Sequence, residues 1–164
     1  MIAARGLTMA RRGQDQGEGS WGGAAVLLID RLGVMERAYA AAGICMVGGS
    51  LTDRGGHTPW EPAAFRCALL HGPHVANFAD DYAALGAAGG AVQVSADGLA
   101  GQVGALMDAP VRRMAMGAAA RAALMAAAPD PGALVAALLS LAAEGPLEPA
   151  AGGPDIGGSK GDAG

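Results

Sequence analysis

The chain has 164 residues, enough for one domain with its own core. Its net charge is −4, and its basic residues form no stripe with interleaved aromatic residues, so we expect no nucleic-acid partner. Glycine is abundant, with 28 residues, while aromatic residues make up only 4%. Because small residues let backbones approach closely, we expect a core with few large side chains.

Local patterns exclude further classes of protein. Cys45 and Cys67 lack the spacing of a redox or zinc motif, so we interpret them as buried apolar residues in a reducing compartment. Arg121 interrupts one apolar stretch and the run 133–143 is too short for a bilayer, so we expect no membrane span. The N-terminus has no signal-peptide pattern, and we expect the chain to be cytoplasmic.

Predicted strands alternate with predicted helices along the chain. After a polar, glycine-rich loop at 13–23, the predicted elements are strand 26–29, helix 35–42, strand 44–47, helix 59–65, strand 68–70, helix 78–85, strand 91–94 and helices 97–107, 112–127 and 131–142. This order predicts one α/β domain over residues 1–145, a Rossmann-like parallel sheet with helices on both faces. Residues 146–164 are rich in Gly and Pro and are predicted to be a disordered tail.

Ligands of parallel α/β sheets bind at the carboxyl ends of the strands, here segments 30–35, 48–61 and 71–77. In the second segment, Thr58 and Glu61 have the spacing of a helix capping box, with Pro59 at the first helical position. Alternatively, this helix end faces an anionic ligand, and Glu61 accepts hydrogen bonds from ribose hydroxyls. Sequence spacing leaves both interpretations open.

Two other segments carry weaker signals. His71 and His74 flank a turn, and no carboxylate lies at metal-ligand spacing, so we expect a turn and no metal site. Gly48-Gly49-Ser50 lacks the full pattern of a phosphate-binding loop, and a simple turn explains it equally well.

Three stretches together resemble one known family. They read IDRLGVM (29–35), MVGGSLTDRGGHTPWEPAA (46–64) and RCALLHGPHVANF (66–78). The family strings are DTMGEM, FVGGSLVPxGGHNPLEPA and GCAVLHGPHVENF, in the same order and at similar spacing. Over residues 2–142 the chain thus resembles the C-terminal half of the Kdo transferases, two-domain glycosyltransferases of the GT-B fold.

The resemblance implies the function. Such enzymes transfer Kdo from CMP-Kdo to a lipid A precursor at the cytoplasmic face of the bacterial inner membrane, without a metal or other cofactor. Carried over by motif, the contacts to the CMP of the donor fall on Leu32, Gly33, Val34, Thr58, Pro59, Trp60 and Glu61. The family's catalytic base and acceptor-binding surface lie in an N-terminal domain, and the resemblance reaches no catalytic residue in this chain.

The chain departs from the family strings within these contacts. Arg31, Val34 and Thr58 stand where the family has Thr, Glu and Asn, and Trp60 replaces a smaller apolar residue. A Pro-Arg pair expected before segment 4–12 is also missing. We therefore expect the chain alone to be inactive in transfer and to join the membrane only as part of a full-length enzyme. A stand-alone CMP-binding module and a non-functional truncated remnant are the alternatives.

Overall fold

We describe the protein from a computed structural model that covers residues 2–12 and 23–143. Its strands are β1 (Met9–Arg12), β2 (Val26–Ile29), β3 (Ile44–Met46), β4 (Ala68–His71) and β5 (Ala91–Gln93). Its helices are α1 (Met35–Ala41), α2 (Trp60–Ala64), α3 (Ala79–Ala87), α4 (Leu99–Asp108), α5 (Pro110–Ala127) and α6 (Pro131–Ala143), with 3-10 turns at Ala3–Arg5 and Ala76–Phe78. The predicted loop, except for residue 23, and the predicted tail lie outside the described residues.

Every strand and helix predicted within this range is present, with ends that shift by one or two residues. Strand β1 was not predicted, because its four residues end in two arginines and lack an apolar run. Its side chains alternate between exposed and half-buried positions. Arg11 on this strand forms an ion pair with Asp30, which directly follows β2.

All strand pairs are parallel, as predicted. β1 pairs with β2, and a second sheet has the order β3-β4-β5. In the second sheet Cys45, Leu69 and Ala91 are in register, and their side chains join one core cluster. The neighbouring residues on β4, Ala68 and Leu70, face a second cluster on the opposite side.

Helices cover both faces of this sheet. Leu85 of α3 and Ala120 of α5 belong to the first cluster, and α1 and α2 pack against it. Leu106 of α4 and Met116 of α5 belong to the second cluster. This arrangement is the α/β fold expected from the alternation of elements, and it explains why β4 is buried along its whole length.

Small residues of α5 allow it to lie directly on neighbouring backbone. A Cβ added at Gly117 would overlap the carbonyl oxygen of Arg66, and one added at Gly90 would lie 2.6 Å from the Cα of Ala120. One helical turn after Gly117, Arg121 donates a hydrogen bond of 2.8 Å to the carbonyl of Ala64 at the end of α2. α5 therefore packs against the C-terminal end of α2.

The C-terminal helix α6 belongs to a separate compact unit that begins at Ala128. The side chain of Asp130 caps it by accepting a hydrogen bond of 2.9 Å from the backbone N–H of Gly132. By length and composition alone, the stretch Pro110–Ala143 could cross a membrane, with a mean hydropathy of 1.6 in its most apolar part. None of this most apolar part is buried in the structure, and residues 128–130 interrupt the helix.

We predict that Gly117→Ala lowers the free energy of unfolding by about 1–3 kcal/mol, because the added methyl group collides with the backbone of Arg66. Gly101→Ala is the matched control, since Gly101 also lies within a helix but has open space around it. This control should raise stability by up to about 1 kcal/mol. Thermal melting of both variants checks the prediction, and equal melting temperatures would contradict it.

We also predict that Arg66→Gly stabilises the chain by up to about 1 kcal/mol. Arg66 has a φ of 59°, a left-handed conformation that costs a non-glycine residue about 1–2 kcal/mol, and the family string has Gly at this position. Greater freedom of glycine in the unfolded chain offsets part of the gain. Ala88→Gly, at a φ of −75°, should destabilise the chain, and urea denaturation of both variants distinguishes them.

Candidate functional site

The loops after β3 and β4 are joined through Ser50, which is fully buried. Its hydroxyl donates to the carbonyl of Val47 at 2.6 Å and accepts from the backbone N–H of Gly72 at 2.9 Å. Its own carbonyl accepts from the backbone N–H of His74 at 3.0 Å. Gly48-Gly49-Ser50 forms a turn, as the simpler interpretation held, and Ser50 also connects this loop to the one after β4.

A second set of contacts joins the same loops farther along. The backbone N–H of Asn77 donates to the carbonyl of Gly55 at 3.1 Å, and a Cβ at Gly55 would overlap the Asn77 side chain. Tyr82 of α3 donates its hydroxyl proton to the carbonyl of His57 at 2.9 Å. Several groups of the two sequence motifs, such as Ser50, Gly55 and Asn77, thus hold the loops together.

Each histidine of the turn lies near other groups of the protein. The Nδ1 atom of buried His71 lies 2.8 Å from the carbonyl of Gly72, and its ring centre lies 4.4 Å from that of Tyr82. Burial raises the pKa of Tyr82 to about 12. His74 lies at the surface, 3.9 Å from Asp53. Within residues 2–12 and 23–143, no group of three or more His, Cys, Asp or Glu side chains could hold a metal ion.

A cleft of about 520 Å³ lies between α1 and α2. It is lined by Gly33, Met35, Glu36, Tyr39, Glu61, Ala64 and Phe65. Gly33 and Glu61 come from the two separate segments that the family resemblance assigned to the nucleotide, and here they border the same space. The size of the cleft is typical of a site for a small organic molecule.

The other predicted contacts of the first segment lie beside this cleft. Leu32 is 87% exposed, and neither it nor Val34 lines the cleft. Val34 is half-buried and precedes the first residue of α1. Gly33 has a φ of 76°, which turns the chain from the loop into the helix and leaves open space at its Cα.

In the second segment, only Glu61 lines the cleft. The ring of Pro59 is fully buried, and Trp60 packs against the core cluster around Leu69. The Thr58 hydroxyl accepts a hydrogen bond of 3.4 Å from the backbone N–H of Trp60, and Pro59 occupies the capping position. The capping box, one of the two interpretations that the spacing left open, is therefore absent, and helix α2 begins at Trp60, one residue later than predicted.

Glu61 itself is exposed and makes no hydrogen bond or ion pair within the part of the chain that the structure describes. Its carboxylate is therefore available to a ligand in the cleft. Helix α2 has only five residues, so few aligned peptide dipoles stand behind its N-terminus. We therefore expect α2 to contact a ligand through hydrogen bonds of the Glu61 side chain more than through its helix dipole.

Five lining residues were missed by sequence reasoning, namely Met35, Glu36, Tyr39, Ala64 and Phe65. Helical spacing would have found part of the set, since Glu36 and Tyr39 lie three residues apart and Glu61 and Phe65 four apart. The rings of Tyr39 and Phe65 stack with centres 6.2 Å apart. Burial, and secondarily the neighbouring Cys45 and Glu61, raise the pKa of Tyr39, so its phenol stays neutral.

Cys67 is buried and Cys45 is half-buried, and both thiols have little nucleophilic character. Burial, together with the neighbouring Cys67, raises the pKa of Cys45 to about 11. Burial also raises the pKa of Cys67, whose sulfur lies 3.4 Å from the carbonyl of Ala42. Both thiols are protonated at neutral pH, which agrees with their interpretation as apolar core residues.

We predict that Ser50→Ala lowers the free energy of unfolding by about 1–3 kcal/mol, because it leaves the buried N–H of Gly72 and the carbonyl of Val47 without their partner. Thr52→Ala in the same loop is the control, since Thr52 is exposed, and it should change stability by less than about 0.5 kcal/mol. Urea denaturation measures the stability of both variants. Equal unfolding midpoints would show that the loops do not depend on the hydrogen bonds of Ser50.

Comparison with known proteins supports the family resemblance. No family model matches the chain. It is 36% identical over 102 residues to the 3-deoxy-D-manno-octulosonic acid transferase of Haemophilus influenzae, which covers 61% of this chain and 24% of that protein. It is 39% identical over 122 residues to the enzyme of the same name from Bordetella pertussis, which covers 74% of this chain and 28% of that protein. The chain thus spans about a quarter of the length of these relatives.

A solved structure has the same fold. The crystal structure of the C-terminal CMP-Kdo binding domain of WaaA from Acinetobacter baumannii matches with a TM-score of 0.66 at 24% sequence identity. The match covers 75% of this chain and 64% of that one. The chain is therefore a relative of the Kdo transferases, a glycosyltransferase family, and it has the α/β fold of the C-terminal domain of WaaA.

Proposed function

We propose that this chain is the donor-binding C-terminal part of a Kdo transferase of the GT-B type, and that the cleft between α1 and α2 receives the CMP part of CMP-Kdo. The observation that carries the proposal is the position of Gly33 and Glu61, which lie far apart in the sequence and border one cleft. Both belong to the segments that resemble the donor site of the family. The crystal structure matched in fold is named as a CMP-Kdo binding domain, which agrees with this role.

The cleft offers the chemistry that a ribonucleotide requires. The exposed carboxylate of Glu61 accepts hydrogen bonds from ribose hydroxyls, and such charge-assisted bonds are stronger than neutral ones. Gly33, without a side chain, lets a ligand approach the backbone between Leu32 and Val34. Pro59 is fully buried and half-buried Trp60 packs against the core, so both act by holding Glu61 in place.

The remaining steps of the reaction need groups beyond this cleft. A hydroxyl of the lipid A precursor attacks the anomeric carbon of Kdo, the bond from that carbon to the CMP phosphate breaks, and CMP leaves. We assign the base that removes the hydroxyl proton, and the acceptor surface, to an N-terminal domain of the type that family members have. This chain supplies the part that holds CMP, at the cytoplasmic face of the inner membrane when it acts within such an enzyme.

We predict that Glu61→Gln weakens CMP binding about 5- to 30-fold, since replacing a charged acceptor with a neutral one costs about 1–2 kcal/mol. The melting temperature should stay nearly constant, because Glu61 is exposed and caps no helix. Calorimetric titration of the purified chain with CMP and with UMP measures the affinity and its dependence on the base.

Asp108→Asn is the matched control for this experiment. It removes the same charge at an exposed position at the end of α4, outside the cleft, and should leave CMP affinity unchanged. An equal affinity of wild type and Glu61→Gln would remove Glu61 from the site. A wild-type chain that binds no CMP would refute the proposed function and favour a non-functional remnant.

A further inference from the structure

We infer that the exposed ring of Phe65 is the platform on which the nucleobase of the donor stacks. This inference rests on the proposed function, because it assigns one wall of the same cleft to one part of the nucleotide. Phe65 directly follows the last residue of α2, lines the cleft and keeps 37% of its surface exposed. An aromatic ring that is partly exposed on a cleft wall presents an apolar face to whatever enters.

The distance between Glu61 and Phe65 is similar to the distance between the ribose hydroxyls and the base of a nucleoside. Residues four apart along a helix lie on the same face, with Cβ atoms about 5–6 Å apart. A nucleobase is attached to the ribose carbon next to a hydroxyl-bearing one, so a ligand whose ribose hydroxyls reach Glu61 carries its base within a similar distance. Phe65 is the aromatic residue of α2 and its C-terminal cap that lines the cleft on this side.

Charge also determines which end of the nucleotide fits here. Glu36 and Glu61 both line the cleft with the aromatic rings, and their carboxylates repel a phosphate. The uncharged base and ribose therefore occupy the space near Phe65, and the phosphate points away from these carboxylates. This orientation places the base against the ring face.

The ring is held in position before any ligand arrives. Tyr39 stacks beside it with ring centres 6.2 Å apart, and the backbone N–H of Phe65 donates to the carbonyl of Pro62 at 3.2 Å. Gly117 of α5 lies against the carbonyl of Arg66, the residue that follows Phe65. A ring that already stacks on Tyr39, on a backbone held by hydrogen bonding, loses little conformational freedom when a base stacks on it.

The test compares CMP with ribose 5-phosphate, which has the sugar and the phosphate but no base, on the full chain. We expect Phe65→Ala to weaken CMP binding about 5- to 150-fold, the measured range for loss of a base–aromatic stack, and to leave ribose 5-phosphate binding unchanged. Phe65→Leu keeps an apolar side chain and should retain the melting temperature while still weakening CMP binding. Met114→Ala, which truncates an exposed apolar residue of α5 outside the cleft, should change neither affinity.

Three results would overturn the inference. Equal CMP affinity in wild type and Phe65→Ala would show that no base touches the ring, while the proposed function could stand. Equal weakening of CMP and ribose 5-phosphate, with a lower melting temperature, would show that Phe65 only supports the fold. A wild-type chain that binds neither ligand would refute the proposed function, and the inference with it.

Discussion

Burial of β4 on both faces is the constraint on which the rest of this structure depends. Ala68, Leu69 and Leu70 are fully buried, so helices have to cover the sheet on each side. Because β4 also pairs in parallel with both β3 and β5, the loops that follow β3 and β4 leave the same edge of the sheet side by side. Ser50 then joins them by hydrogen bonds to backbone groups of Val47 and Gly72 that are buried away from water.

The cleft depends on a helix that does not line it. α5 packs Gly117 against the carbonyl of Arg66 and donates a hydrogen bond from Arg121 to the carbonyl of Ala64. These contacts hold the C-terminal end of α2, and with it the cleft wall formed by Glu61 and Phe65. The many small residues of the sequence make this packing possible, because only backbones without large side chains between them approach so closely. Function and core packing are therefore coupled through α5.

Periodicity and glycine positions predicted most of the fold. Short apolar runs closed by glycine are typical of buried parallel strands, and β3 and β4, which lead to Gly48 and Gly72, follow this pattern. β1 was not predicted because Arg11 and Arg12 interrupt any such run, and it becomes a strand by pairing with β2. The spacing of Thr58 and Glu61 left the capping box open for a related reason: the same spacing fits two local hydrogen-bond patterns, and the structure has the one in which Pro59 is buried and α2 begins at Trp60.

By itself, the sequence determined the order of strands and helices, the likeness to the Kdo transferases, and Glu61 as a carboxylate in a candidate nucleotide segment. Only the tertiary structure decided which predicted residues meet: Gly33 and Glu61 share a cleft, whereas Pro59 and Trp60 turn into the core. It also added Glu36, Tyr39 and Phe65 to the site. The reason is physical, since local spacing specifies the faces of a helix, but which face meets a cavity is set by contacts between elements that are distant in the chain.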